Sequence, residues 1–234
     1  FSAVDLSVVV SHELLEAKSE GNRSVFLVEN AVDYDAFRQA TDKGETPDDM
    51  SDLPSPRIGY SGLIGNRLDL ELIEHLARER PSWSIVLIGK VDSRRCEDEM
   101  DRLRGLRNVH FLGQKDVSDV PSYVAALDVG LLPYRVNVET THISPLKMYE
   151  YFAAGLPVVS TRIPSAARRG DLVSLADGAA EFIDACDAAL TEPQDEARAR
   201  VSEASQNTWD HRVTQLTSII APMLQQKLDG GSRP

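Results

Sequence analysis

Only two cysteines, Cys96 and Cys186, occur in the 234 residues. They fall on separate predicted helices and match no metal-ligand spacing, so free thiols are expected rather than a disulfide framework or a zinc module. Positive charge is also scarce. Twenty-five Lys and Arg stand against 37 Asp and Glu, a formal charge of −12. That balance excludes a broad nucleic-acid surface, because neutralising a phosphate backbone takes clustered cations. A small local anion site stays open. No apolar run approaches membrane-spanning length. The chain has no signal-peptide pattern and begins on Phe1, and is expected to be a piece of a longer polypeptide. There is no P-loop, and Gly59, Gly62 and Gly65 do not spell G-x-G-x-x-G. His12, His75, His110 and His211 share no metal spacing, and no Ser/His/Asp order or carboxylate pair argues for a hydrolase.

Short apolar runs alternating with amphipathic segments are present throughout. Strands are expected at Leu6–Val10, Val25–Val28, Ile58–Gly62, Ser84–Gly89, Val109–Leu112, Val129–Leu132, Val158–Ser160 and Leu172–Leu175. Helices are expected between them and over Glu181–Leu190, Glu196–Gln206 and Trp209–Lys227. Thr41–Pro56, rich in Asp, Pro and Thr, reads as a solvated linker, and the tail from Asp229 to Pro234 as disordered. The alternation predicts an α/β fold: a Rossmann-like parallel sheet of about six strands flanked by helices. In such sheets ligands bind at the carboxyl ends of the strands. The loops Gly62–Leu68, Gly89–Arg95, Gly113–Asp116 and Pro133–Ser144 are therefore where a site is sought.

One stretch, "THISPLKMYEYFAAGLPVVST" (Thr141–Thr161), reads as loop, helix, stop and strand. Ser144 suits an N-cap and Pro145 the first helical position, while Gly155 and Pro157 end the helix. Lys147 then lies in the first turn, where uncapped N–H groups already make the helix end electropositive. A cation there is unfavourable by roughly 0.3–1 kcal/mol unless an anion is bound. Lys147 either faces such an anion or makes an ordinary surface pair with Glu150. Glu150 either accepts hydrogen bonds from ribose hydroxyls or faces solvent.

The segment "NVHFLGQKDVSDVPSYVAALDVGLLPYR" followed by "SPLKMYEYFAAGLPVVST" resembles the C-terminal domain of the group 1 glycosyltransferases, family 4, of GT-B fold. "FLVENAVDYDAF" is similar to their interdomain linker, and "RIGYSGLIGNRLDLELIEHLARERPSWSIVLIGK" to their first strand–helix–strand unit. The S-P-L-K-M-Y-E-Y helix is closest to a variant found in enzymes of surface-polysaccharide synthesis. This resemblance implies the C-terminal, donor-binding half of a two-domain enzyme. Residues 1–40 would be a remnant of the N-terminal acceptor domain and the linker, 41–208 the nucleotide-sugar domain, and 209–234 a terminal helix and tail. The second acid of the family's E-x7-E motif falls on Glu150, implied to bind ribose. The backbone of Leu146 and Lys147, beside Ser144 and the Gly62 loop, falls where the diphosphate binds. Gly113, Gln114 and Lys115 fall where the base is held, mostly by backbone.

Three positions depart from the family pattern. His142 replaces the first acid of E-x7-E, which contacts the donor sugar. Leu63 replaces one diphosphate cation, leaving Arg67 or Leu68 at the second and Lys147 to make up the difference. Ala31 stands where the linker usually has glycine. Tyr123 either lines the base pocket or is a half-buried core residue, and the mixed-charge run Arg94–Arg104 reads as a solvated helix face. The expected activity is glycosyl transfer from a nucleotide diphosphate sugar, UDP-linked, to a saccharide or lipid-linked saccharide acceptor. The resemblance implies retention of configuration and no metal or other cofactor. This chain alone is expected to bind nucleotide without turning over. A cytoplasmic location, with the full protein peripheral at the inner membrane face, is part of the same expectation. A nucleotide-sugar 2-epimerase of GT-B fold and a non-catalytic GT-B-like binding domain are the alternatives.

Overall fold

A computed structural model describes residues 4–20 and 24–230. The chain opens with a two-stranded parallel sheet, β1 (Ser7–Val9) and β2 (Val25–Leu27), flanking helix α1 (His12–Ser19). Ser11 caps α1 by accepting from Leu14 N at 3.3 Å, as its sequence position predicts. Helices α2 (Tyr34–Lys43) and α3 (Asp48–Ser51) lead into the main sheet.

That sheet holds β3 (Arg57–Ser61), β4 (Ser84–Ile88), β5 (Val109–Gly113), β6 (Val129–Leu132), β7 (Val158–Thr161) and β8 (Ser174–Ala176). All pairs are parallel and the spatial order is β5-β4-β3-β6-β7-β8. This is the doubly wound order in which the strand sequence reverses at β3/β6, so the ligand crevice belongs outside the carboxyl ends of those two strands. Every residue of β4 and β6 is buried, the pattern of strands covered on both faces.

The crossovers carry α4 (Leu70–Glu79), α5 (Glu97–Arg104), α6 (Val120–Ala125), α7 (Val138–Thr141), α8 (Leu146–Ala154) and α9 (Pro164–Ala167). Helices α10 (Ala179–Ala189), α11 (Gln194–Ser205) and α12 (Trp209–Gly230) close the fold. α4 buries Leu72, Ile73 and Leu76 and is capped by Asp69, which accepts from Leu72 N at 3.0 Å. α8 is buried from Met148 to Ala154 and packs against α2, α6 and α11, so it has no free face. Both cysteines are free and buried.

The expectation for Thr41–Pro56 is corrected. Thr41–Lys43 complete α2, and α3 places Met50 in the core with no exposed surface. Asp49 is fixed by the hydroxyl of Tyr123 at 2.7 Å and by Lys115. One apolar anchor and one paired carboxylate hold a segment whose average composition is that of a linker. α2 packs on α6 and α8. The tail reading is likewise adjusted: α12 reaches Gly230, and residues 231–234 lie outside the described ones. Among the described residues no helix is long and apolar enough to cross a membrane.

Candidate nucleotide-binding cleft

On one side of the switch point, the carboxyl ends of three neighbouring strands are joined through glycines of positive φ. Gly62, Gly89 and Gly113 follow or end β3, β4 and β5, and Gly89 N donates to Gly113 O at 2.8 Å. A Cβ on Gly89 would lie 1.9 Å from Gly62 O, so the β3 and β4 loops touch through backbone alone. A Cβ on Gly62 would meet Tyr60 Oη at 2.7 Å and Lys147 Cε at 3.2 Å. The sequence-predicted Gly62 and Lys147 are therefore neighbours across the switch point.

α8 starts one residue later than its sequence suggests. Pro145, at φ −66° and ψ 114°, occupies the cap position and Leu146 is the first helical residue. Proline has no side-chain acceptor to offer, so this helix end has no side-chain cap. Ser144 is thereby displaced from the capping role expected of it. Its Oγ is buried and has no hydrogen-bond partner. Its carbonyl accepts from Asn30 Nδ2 at 2.6 Å. At the other end Gly155 takes φ 76° and ends the helix as predicted.

Glu150 is 7% exposed on a helix otherwise lined by Met148, Tyr149, Tyr151 and Phe152. Lys147 Nζ donates to Oε1 at 3.4 Å and approaches Oε2 to 3.3 Å outside hydrogen-bonding geometry, leaving Oε2 buried and unpartnered. Burial pushes the Glu150 carboxyl above its ordinary value, against the opposing pull of Lys147. The carboxylate lies among tyrosines: Tyr60 and Tyr134 meet edge to face at 6.2 Å, and Tyr151 Oη accepts from Ser61 N at 2.9 Å. Burial raises the Tyr60 and Tyr151 hydroxyls well above their usual value, and nearby Glu150 adds to both shifts. The surface pair of the bland reading thus exists, but inside a cleft rather than on a solvated face.

That cleft has a volume of about 540 Å³ and is lined by Leu146, Lys147 and Glu150 on one side. Val117–Pro121 at the start of α6 form a second wall; Ala31, Phe37 and Trp209 form the third. Ala31, Asn30, Phe37 and Trp209 were not singled out as site residues. Only the folded chain brings residues 31–37 and Trp209 together at the mouth of α8. Ala31 has no need of the glycine usual there, because Arg95 is the only non-glycine with positive φ among the described residues.

The other predicted residues do not line this cleft. The Arg67 side chain is 58% exposed and faces Glu139 at 3.9 Å, while Leu63 is exposed on the same loop. His142 follows α7 and its Nδ1 lies 2.9 Å from Val138 O, which places the proton on Nδ1 and leaves Nε2 as an acceptor. Gln114 is exposed. Lys115 is held by Asp49 and lies over the Tyr123 ring at 4.6 Å, so Tyr123 anchors this loop from the core. On α5, Arg104 pairs with Asp101 and Arg102 reaches across to Glu74 of α4. A larger crevice, about 590 Å³, opens at the ends of β6, β7 and β8 between Glu71, His75, Arg162 and Asp177. It contains none of the predicted residues. Among the described residues no three His, Cys, Asp or Glu side chains gather into a metal-binding group.

Comparison with known proteins bears on the family and the fold. A putative teichuronic acid biosynthesis glycosyltransferase, TuaH of Bacillus subtilis, is 29% identical over 207 residues, covering 85% of this chain and 51% of that protein. The crystal structure of Anabaena HepE in complex with UDP and glucose superposes with a TM-score of 0.74 at 17% identity, covering 95% of this chain and 63% of the other. WaaG, a glycosyltransferase involved in lipopolysaccharide biosynthesis, gives 0.68 at 16% identity, with 91% and 62% covered. The chain therefore spans between half and two thirds of the length of these relatives. The structural neighbours share the six-stranded parallel sheet flanked by helices, the C-terminal half of a GT-B fold. The family model for glycosyl transferases group 1 matches residues 56–192, more than half of the sequence and all of the main sheet, and the chain belongs to that family.

Proposed function

We propose that the whole protein transfers a sugar from a nucleotide diphosphate sugar, UDP-linked, to a saccharide or lipid-linked saccharide acceptor in surface-polysaccharide synthesis. The observation that carries this reading is a pair of buried oxygens without partners, Ser144 Oγ and Glu150 Oε2, on either side of Lys147 at an uncapped helix start. Burying a polar group unpaired costs on the order of 1–3 kcal/mol. A ligand that donates to Glu150 and accepts from Ser144 and Lys147 removes that cost. A ribose diphosphate has hydroxyls for the first and phosphate oxygens for the second. The teichuronic acid assignment of the Bacillus relative supports the polysaccharide reading, and the UDP bound to HepE supports the nucleotide.

In this reading the diphosphate lies against Ser144, the N–H groups of Leu146 and Lys147, and the Gly62 turn. The ribose meets Glu150, and the base lies toward Gln114 and Lys115. Transfer breaks the bond between the anomeric carbon and the diphosphate oxygen. The acceptor hydroxyl oxygen bonds that carbon, and its proton is lost to the departing diphosphate. Negative charge grows on the leaving group, so Lys147, the helix start and Arg67 supply the main electrostatic stabilisation. His142 Nε2 is an acceptor for a hydroxyl of the donor sugar. Residues 1–40 then form the end of an acceptor-binding half and the linker, 41–208 the donor half, and 209–234 the terminal helix and tail. Transfer requires the acceptor half, so this chain alone binds the donor and does not turn it over.

Calorimetric titration with UDP tests the reading. Saturable binding is expected, and Lys147→Ala should weaken it about tenfold to a hundredfold, the worth of one charge-assisted hydrogen bond. A chain that gives no saturable heat with UDP is a binding domain of another kind, and the transferase reading falls with it.

A further inference from the structure

We propose that Asn30 is a positioning residue for the donor diphosphate, acting through Ser144; the inference rests on the proposed binding of that diphosphate at the start of α8. Asn30 lies 114 residues from Ser144 in the chain, yet its Nδ2 donates to the Ser144 carbonyl at 2.6 Å. The acceptor is a backbone carbonyl, which fixes the amide orientation with nitrogen inward. The next residue, Pro145, has no N–H, so the peptide between 144 and 145 is held through that carbonyl.

The segment that carries Asn30 is itself clamped. Arg212 of α12 donates from Nε to Glu29 O at 2.9 Å and from Nη2 to Asn30 O at 3.2 Å. Val32 N donates to Asn207 O at 3.0 Å. Arg169 Nη2 donates to Glu29 Oε1 at 2.8 Å and also reaches the hydroxyl of Tyr149 on α8. Residues 29–32 are thus a fixed bar against which the start of α8 is set.

The consequence is local and specific. A serine beside a helix start ordinarily turns its hydroxyl onto the free N–H groups and blocks them. Here the Asn30 amide draws the Ser144 carbonyl toward the linker. The Ser144 hydroxyl is left buried and unpaired, and the helix end stays uncapped. In this proposal Asn30 keeps an anion site open at the start of α8 and is given no contact with the nucleoside.

That separation gives the test. UDP and uridine are titrated into wild type, Asn30→Ala and the near-isosteric Asn30→Asp, with thermal melts recorded for each. Both variants should bind UDP about tenfold more weakly, the order of one lost hydrogen bond, and uridine with unchanged affinity. Asn30→Gln, which keeps the donor on a longer arm, should recover part of the UDP affinity. In the full-length enzyme the donor KM should rise with little change in kcat. Equal losses for UDP and uridine, or no loss in a folded variant, would overturn the proposal. If Asn30→Ala does not fold, the isosteric Asn30→Asp decides. Wild type that fails to bind UDP removes the underlying reading instead, so the two failures are separable.

Discussion

Glu150 concentrates the argument at the level of single residues. It is a carboxylate on a helix with no solvent face, one of its oxygens has no hydrogen-bond partner, and the one cation paired with it among the described residues, Lys147, reaches it at 3.3–3.4 Å. Burial raises its pKa in the folded state, so the ionised form opposes folding. The stability deficit is fully present above the raised value and disappears as pH falls through it. Glu150→Gln removes the charge, and Lys147, part-exposed, turns to water at little cost. The variant should therefore melt a few degrees above wild type at about pH 8, since ~1 kcal/mol moves a domain of this size by roughly 2–4 °C. The gap should narrow on acidification to about pH 5, while UDP affinity drops at both values. Thermal unfolding of both proteins across this range checks it. A lower melting temperature for the variant at pH 8 would mean the carboxylate supports the fold, and its case as a reserved ligand group would be lost.

Elements differ in how far the sequence announces them. The strands of the main sheet were legible because fully buried parallel strands are short unbroken apolar runs, as "SIVLI" in β4 shows. α8 was legible from its apolar content and Gly155, but its start was misplaced by one residue. Ser144 and Pro145 satisfy local capping preferences in one register, and the long-range bond from Asn30 selects the other. α3 and α7 were invisible because four residues carry no periodicity. Of the site, Lys147 and Glu150 could be read from an odd charge in a first turn and a carboxylate among aromatics. The wall made by Ala31, Phe37 and Trp209 could not, since nothing local links residues so far apart in the chain. The contact of the β3 and β4 loops was equally hidden. It allows a sharp prediction: Gly89→Ala puts a methyl 1.9 Å from Gly62 O at φ 138° and should destabilise the domain by about 3 kcal/mol. A urea midpoint close to wild type would show that the two loops part freely, and the switch-point geometry would then be too loose to hold a diphosphate.

For the molecule as a whole, the question is which of two crevices takes the nucleotide. The one at β6, β7 and β8 is slightly larger, but none of the residues lining it has a buried side-chain atom without a hydrogen-bond partner; Arg162 bonds both oxygens of Asp177, and Asp69 caps α4. The cleft at α8 is slightly smaller and retains unpartnered oxygens. Volume favours the first and unsatisfied chemistry the second; chemistry should decide, because a binding site is recognised by convergent polar groups in an apolar cleft. UDP at about a hundred times its dissociation constant contributes about 2.7 kcal/mol to the folded state. Some of that stabilisation must appear as slower opening of the walls it touches. Amide hydrogen exchange with and without UDP should therefore slow at residues 30–37, 117–121, 146–150 and 209–212, segments far apart in sequence that converge on this cleft. Residues 71–75 and 161–162 and the 177–179 turn should exchange as before. Protection confined to that second group would place the nucleotide at the far crevice, and Lys147, Glu150 and Asn30 would lose their assigned roles together.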